Sequence, residues 1–156
     1  MSHTIVSYSQ VNLSSSYRNA PPKVIYVPLL DTKLCYQGRQ TIFSFSSLVD
    51  SGADFCVFPA KFGRLIGLPI EEGEAIVTSG IGGKEILYFH KVQVSVVIRE
   101  QIWKFECEAG FSFKMNAKGI GFLGRKGFFD LFEEVAFNQQ KRMVKLKGEG
   151  TRNLCD

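Results

Sequence analysis

No apolar run in this sequence is long enough to cross a bilayer. The longest, such as Val24 to Leu30, fall far short of the ~20 residues that a spanning helix needs, so no membrane partner is expected. Metal chemistry also lacks material. The chain has four cysteines (Cys35, Cys56, Cys107 and Cys155), no C-x-x-C pair and only two histidines. A zinc site takes about four ligands, usually in closely spaced pairs; no metal and no cofactor is expected. A dense basic patch is missing too. The formal net charge is +4, but lysine and arginine are scattered, and only Lys141, Arg142, Lys145 and Lys147 gather locally, alternating as on one solvated strand face. A nucleic-acid footprint needs more than this. No signal peptide is recognisable, so free thiols in a reducing compartment, the cytoplasm, are the expectation.

What is present is an ordinary globular balance: 156 residues, 45% hydrophobic and 22% charged, the size of one domain able to bury a core without a metal or disulfide. Residues 1–22, rich in Ser, Asn and Tyr and closed by Pro21-Pro22, read as a flexible arm that orders, if at all, against a partner. The compact domain is expected over residues 23–147, with 148–156 as a tail.

Within that domain the signals are mostly strands. Val24 to Leu30 is β-branched and aromatic, and Asp31 to Arg39 reads as a polar turn. Thr41 to Ser46 alternates with a period of two residues and runs into Leu48-Val49. Cys56 to Phe58 is a short apolar run. Ala60 to Ile66 follows Pro59 and stops at Gly67, the pattern of a short helix. Glu74–Thr78 and Lys84–Ile98 flank the tip Ser79-Gly80-Ile81-Gly82-Gly83, a long hairpin signal. Further strands are expected over Gln101–Glu108, near Ile120–Arg125, over Glu134–Asn138 and over Arg142–Lys147. Many short strands with one or two short helices make an all-β, barrel-like fold the expectation.

The chemistry concentrates at Asp50. It follows the apolar pair Leu48-Val49 where a strand ends, and Ser51 and Gly52 suit a tight turn there. Taken alone, Asp-Ser-Gly could be a plain turn. In context, Leu48-Val49-Asp50-Ser51-Gly52-Ala53-Asp54, then an apolar run and a short helix ending in Gly-Leu, resembles the active-site segment of the retroviral-type aspartic peptidases, the retropepsins. Ser51 stands where that family more often has threonine. Two further elements fall in matching order: the glycine-tipped hairpin at Gly80-Ile81-Gly82-Gly83, and Phe122-Leu123-Gly124-Arg125 late in the chain.

The resemblance covers roughly residues 23–147. It implies a closed barrel with a flap hairpin, Asp50 as catalytic carboxylate supported by Ser51 and Gly52, and an Arg125–Asp54 pair fixing the turn with Gly124. Gly52, Asp54 and the Gly80–Gly83 tip would bind the backbone of an extended polypeptide substrate, with Ala53, Val57 and Ile81 lining its pockets. Only one Asp-Ser/Thr-Gly occurs in the chain, so the second carboxylate of such an enzyme would come from Asp50 of a second copy, making a homodimer. The terminal strands and the Arg125–Phe132 region are the contacts expected to join the copies. Two departures stand out: Lys126 replaces the asparagine or aspartate common after Gly-Arg, and extra length is expected over Glu100–Gly119. A non-catalytic module that binds extended peptides, and a β-barrel that binds nucleic acid, are the competing readings.

Overall fold

The structure is a computed structural model and describes residues 3–14 and 19–148. The chain opens with β1 (His3–Ser7), β2 (Ser9–Leu13), β3 (Lys23–Val27), β4 (Leu29–Tyr36), β5 (Arg39–Gln40) and β6 (Phe45–Val49). After the Asp50 turn come β7 (Val57–Pro59), α1 (Ala60–Leu65), β8 (Glu74–Gly80), β9 (Gly83–Ile98) and β10 (Gln101–Ser112). The chain then forms β11 (Gly121–Leu123), a short 3-10 turn over Phe129–Leu131, β12 (Glu134–Asn138) and β13 (Met143–Lys147). Strands take up 58% of the described residues and helices 11%, the all-β balance expected.

The main sheet runs in the order β5-β4-β6-β11-β7-β10-β9-β8, and an added β4–β9 pairing closes six of these strands into a barrel. Closure removes the free edges that an open sheet would expose. Inside, Phe58, Phe111 and Phe128 are fully buried, and Phe45 stacks on Phe62 with ring centroids 4.2 Å apart. Each fully buried aromatic side chain of this size stabilises the fold by about 1.5–3 kcal/mol.

α1 starts where Pro59 presets the backbone and ends in a paired hydrogen-bond cap: Leu68 N–H donates to Gly63 O at 3.0 Å and Gly67 N–H to Arg64 O at 3.1 Å. Gly67 takes φ +84°, which only glycine adopts without strain. Gly63 lets the helix pack closely, since a Cβ there would meet Ile70 Cδ1 at 2.7 Å and the Phe111 ring at 3.0 Å.

Three stretches differ from the reading of the sequence. Residues 3–13 do not wait for a partner: β1 pairs with β13 from His3↔Lys147 to Ser7↔Met143, and β2 pairs with β3 from Ser9↔Val27 to Leu13↔Lys23. A strand needs only alternate apolar positions, and Val6, buried opposite Val144, anchors β1 in polar company. The Arg142 guanidinium lies 3.5 Å from the Tyr26 ring centroid and ties the β2–β3 ribbon down. Residues 1–2, 15–18 and 149–156, including most of the expected tail, lie outside the described residues.

Asp31 to Arg39 is no turn. β4 runs through Tyr36, burying Leu30, Thr32 and Leu34 with Asp31 exposed and Lys33 half-buried between them, and the chain reverses at Gln37-Gly38. Conversely, Thr41–Ser44 is not strand: Ile42 and Phe43 are exposed, while Thr41 closes the bend through a 2.9 Å bond from its N–H to Leu34 O.

Candidate active site

The Asp50 turn is held from below by a strand that arrives late in the sequence. β11 lies between β6 and β7, parallel to β6 (Gly121↔Ser47, Phe122↔Leu48, Leu123↔Val49) and antiparallel to β7 (Phe122↔Val57). The two strands flanking the turn are thus held apart, and the turn spans the gap. Asp50 N–H donates to Leu123 O at 3.0 Å, and Ala53 N–H closes the turn onto Asp50 O at 3.2 Å. One carboxylate oxygen of Asp50, Oδ1, accepts the Gly52 N–H at 2.9 Å. That bond fixes the side chain's rotamer and leaves Oδ2 free of it. Asp50 is half-buried, while Ser51, Gly52 and Asp54 are exposed.

The outgoing half of the turn is braced by residues 124–126. Arg125 N–H donates to Ala53 O and Lys126 N–H to Asp54 O, each at 2.9 Å, and Phe55 and Lys126 form an isolated parallel bridge. Gly124 makes this approach possible: a Cβ there would overlap Phe55 O and stand 2.8 Å from Ala53 O. Arg125 Nη2 donates to Asp54 Oδ1, so the structure brings together the pair expected from the sequence. Lys126, the departure noted above, does not disturb the brace. Its backbone takes part in it, its Nζ lies 5.9 Å from the Phe55 ring centroid, and the 3-10 turn still follows at Phe129–Leu131.

Gly80–Gly83 form the tip of the β8–β9 hairpin. Gly80 pairs with Gly83 and the chain reverses through Ile81-Gly82. Gly83 takes φ +95°, a left-handed conformation that would strain a side chain. A Cβ on Gly80, Gly82 or Gly83 would meet nothing within 4 Å; Ile81 is fully exposed, and Val77 and Ile86 are exposed in part. The hairpin thus presents apolar side chains without covering them.

Its root is anchored by residues the sequence did not single out. The buried Ser112 Oγ–H donates to Glu85 Oε2 at 2.7 Å and accepts the Met115 N–H at 3.2 Å, while Lys114 Nζ donates to Lys84 O at 2.8 Å. Nothing local marks these partners, which only the β9–β10 register brings together. His90 is structural, its Nε2 lying 2.8 Å from Ile70 O and its ring against Phe111. Cys56 is a core thiol with no exposure. Among the described residues no cluster of His, Cys, Asp and Glu could hold a metal ion, and no helix is long and apolar enough to cross a membrane.

No family model matches the sequence, and neither does any curated protein. Solved structures do match. A retropepsin-like aspartic protease from Rickettsia conorii aligns over 94% of this chain and 99% of its own, with a TM-score of 0.57 and 13% identity. The EIAV protease in complex with the inhibitor HBY-793 aligns over 71% of this chain and 88% of its own at 15% identity, but with a TM-score of 0.37 that likeness carries no weight. At 13% identity the Rickettsia protein establishes the fold: the barrel described above is retropepsin-like.

Proposed function

We propose that this chain, built on a retropepsin-like fold, is an aspartic endopeptidase that works as a homodimer, Asp50 of each copy supplying one carboxylate. The observation that carries the reading is the Asp50 turn itself. Its carboxylate is oriented by the Gly52 N–H, and the backbone around it is braced on one side by Leu123 and on the other by Arg125 and Lys126. Side chains held this way are pre-positioned for chemistry.

Two such carboxylates about 3 Å apart cannot both ionise easily and share a proton. The ionised one takes a proton from a water held between them as that water attacks the scissile carbonyl. The protonated one donates to the oxygen on which negative charge develops. Collapse of the tetrahedral species breaks the C–N bond, and the leaving nitrogen takes up a proton. Ser51 and Gly52 support the carboxylate.

Substrate lies extended beneath the β8–β9 hairpins acting as flaps, its backbone paired as an added strand. Gly52, Asp54, Gly80, Gly82 and Gly83 are the proposed backbone contacts, and Ala53, Val57 and Ile81 the proposed apolar pockets. The exposed apolar side chains of the hairpin support this assignment. For the dimer contact we propose the sheet β1-β13-β12, whose outer strands each pair on one side only among the described residues, with the exposed Phe137 and the Arg125–Phe132 segment. Cys35, Cys56 and Cys107 are free thiols, which suits a reducing compartment, and the cytoplasm is part of the proposal.

The test is cleavage of a mixed peptide library between mildly acidic and neutral pH, with the mass of the native particle measured in the same buffer. The parent is expected to cut beside apolar residues as a dimer, and Asp50→Asn to lose at least about 10³-fold in kcat/KM. A dimeric parent that cuts nothing, yet binds peptides as tightly as Asp50→Asn does, would replace the enzyme with a peptide-binding module.

A further inference from the structure

Two cysteines far apart in sequence meet behind the Asp50 turn. Cys56 lies on the segment leaving the turn and is fully buried, whereas Cys107 is half-buried on β10, opposite Val92 of β9. The two segments are joined at this point: Gly110 N–H donates to Cys56 O at 2.9 Å, and β7, which begins at the next residue, runs parallel to β10. Both sulfurs converge on one point. A Cβ on Gly127 would lie 3.2 Å from Cys56 Sγ and 3.3 Å from Cys107 Sγ, and Gly127, at φ +109°, leaves that space to them. Cys56 Sγ also lies 3.8 Å from Lys126 O, in the brace of the turn.

The thiols affect one another's ionisation. The contact with Cys107 holds the Cys56 thiol below its ordinary range, helped by the backbone N–H groups of Gly124 and Phe128, while the same contact and burial push Cys107 far up. Cys56 is therefore the more acidic thiol of the two, and the one better suited to attack. The half-buried Cys107 gives it a solvent-facing side.

We propose that Cys56 and Cys107 form a redox site that hydrogen peroxide closes to a disulfide and a dithiol reopens, tying the segment that leaves the Asp50 turn to β10. The inference stands whether or not the chain is a peptidase. In the first step the Cys56 sulfur attacks one peroxide oxygen and the O–O bond breaks. Sulfenic acid forms, and the other oxygen leaves as hydroxide and is protonated to water. The Cys107 sulfur then attacks the sulfenic sulfur. The S–S bond forms, the S–O bond breaks, and the oxygen leaves as a second water with the Cys107 proton. Two thiols and one peroxide thus become one disulfide and two waters.

The experiment uses the full chain carrying Cys35→Ser and Cys155→Ser, so that only the proposed pair remains, treated while folded with a few equivalents of hydrogen peroxide. The intact mass is expected to fall by about 2 Da, a peptide map to find Cys56 linked to Cys107, and dithiothreitol to reverse both. Closing a loop of about fifty residues is expected to raise Tm by about 10 °C. Adding Cys107→Ser removes the link and the rise, and leaves a sulfenic acid on Cys56 that dimedone captures when the oxidised chain is unfolded in its presence. Oxygen uptake by the folded parent without the link, or a link that forms only after urea has unfolded it, overturns the site. A link that leaves Tm unchanged overturns the tie.

Discussion

Replacing Gly124 with alanine tests the brace beneath Asp50 without touching a charged group. The added Cβ would overlap the carbonyl of Phe55 and stand 2.8 Å from Ala53 O. These are backbone atoms, so no side chain can swing aside. Relief requires residues 124–126 to back away from residues 53–55, which stretches the bonds from Arg125 N–H to Ala53 O and from Lys126 N–H to Asp54 O, both 2.9 Å. At about 1 kcal/mol for each bond lost, with about 1–2 kcal/mol of remaining overpacking strain, Gly124→Ala should lose about 3–4 kcal/mol. For a domain of this size that is a fall in Tm of about 10 °C. Thermal and urea unfolding followed by circular dichroism measures it. Gly80→Ala is the control, because a Cβ on Gly80 meets nothing within 4 Å; its change should stay within about 1 kcal/mol. If Gly124→Ala melts within about 2 °C of the parent, the brace is not the close backbone contact described.

Other substitutions probe the surroundings. Ser47 Oγ is buried on β6 with no hydrogen-bond partner among the described residues, so Ser47→Ala should stabilise the fold by about 1 kcal/mol, read as a higher urea midpoint; a lower midpoint would mean that the hydroxyl has a partner. Arg125→Ala should cost no more than about 1 kcal/mol despite its place beside the turn, because the Arg125 and Asp54 side chains are 59% and 70% exposed. Salt near 1 M should erase most of that difference, and a larger, salt-insensitive loss would show that Arg125 holds more than Asp54.

The parts of the site that could be read from the sequence are those written in local signals. Gly80–Gly83 advertises a hairpin tip because a tight reversal needs glycine, and Pro59 and Gly67 bracket α1 by their backbone constraints. The meeting of Gly124-Arg125 with the Asp50 turn is legible only through motif order, since no local property of residue 124 shows that a backbone carbonyl will press against it. The errors share a cause. Asp31, Lys33 and the turn-like Gly38 suggested a loop, yet β4 buries every second side chain and tolerates polar residues between them. Residues 3–13 looked too polar to fold until their ladder partners, β13 and β3, are known. The Ser112–Glu85 and Cys56–Cys107 encounters likewise depend on strand register, which a single sequence does not spell out.

The threading of β11 between β6 and β7 also dictates the order in which the molecule can be assembled during synthesis. When the Asp50 turn leaves the ribosome, its flanking strands have no neighbour to fill the space between them, and residues 121–123 must still be made. The ring cannot close until that late strand enters, so a nascent chain ending before Leu123 carries the turn with no floor beneath Asp50. Such distant pairings make folding slow, because the loop must be ordered before the contact that rewards it forms. The β9–β10 hairpin, local in sequence, can form meanwhile and hold one wall of the ring ready for closure.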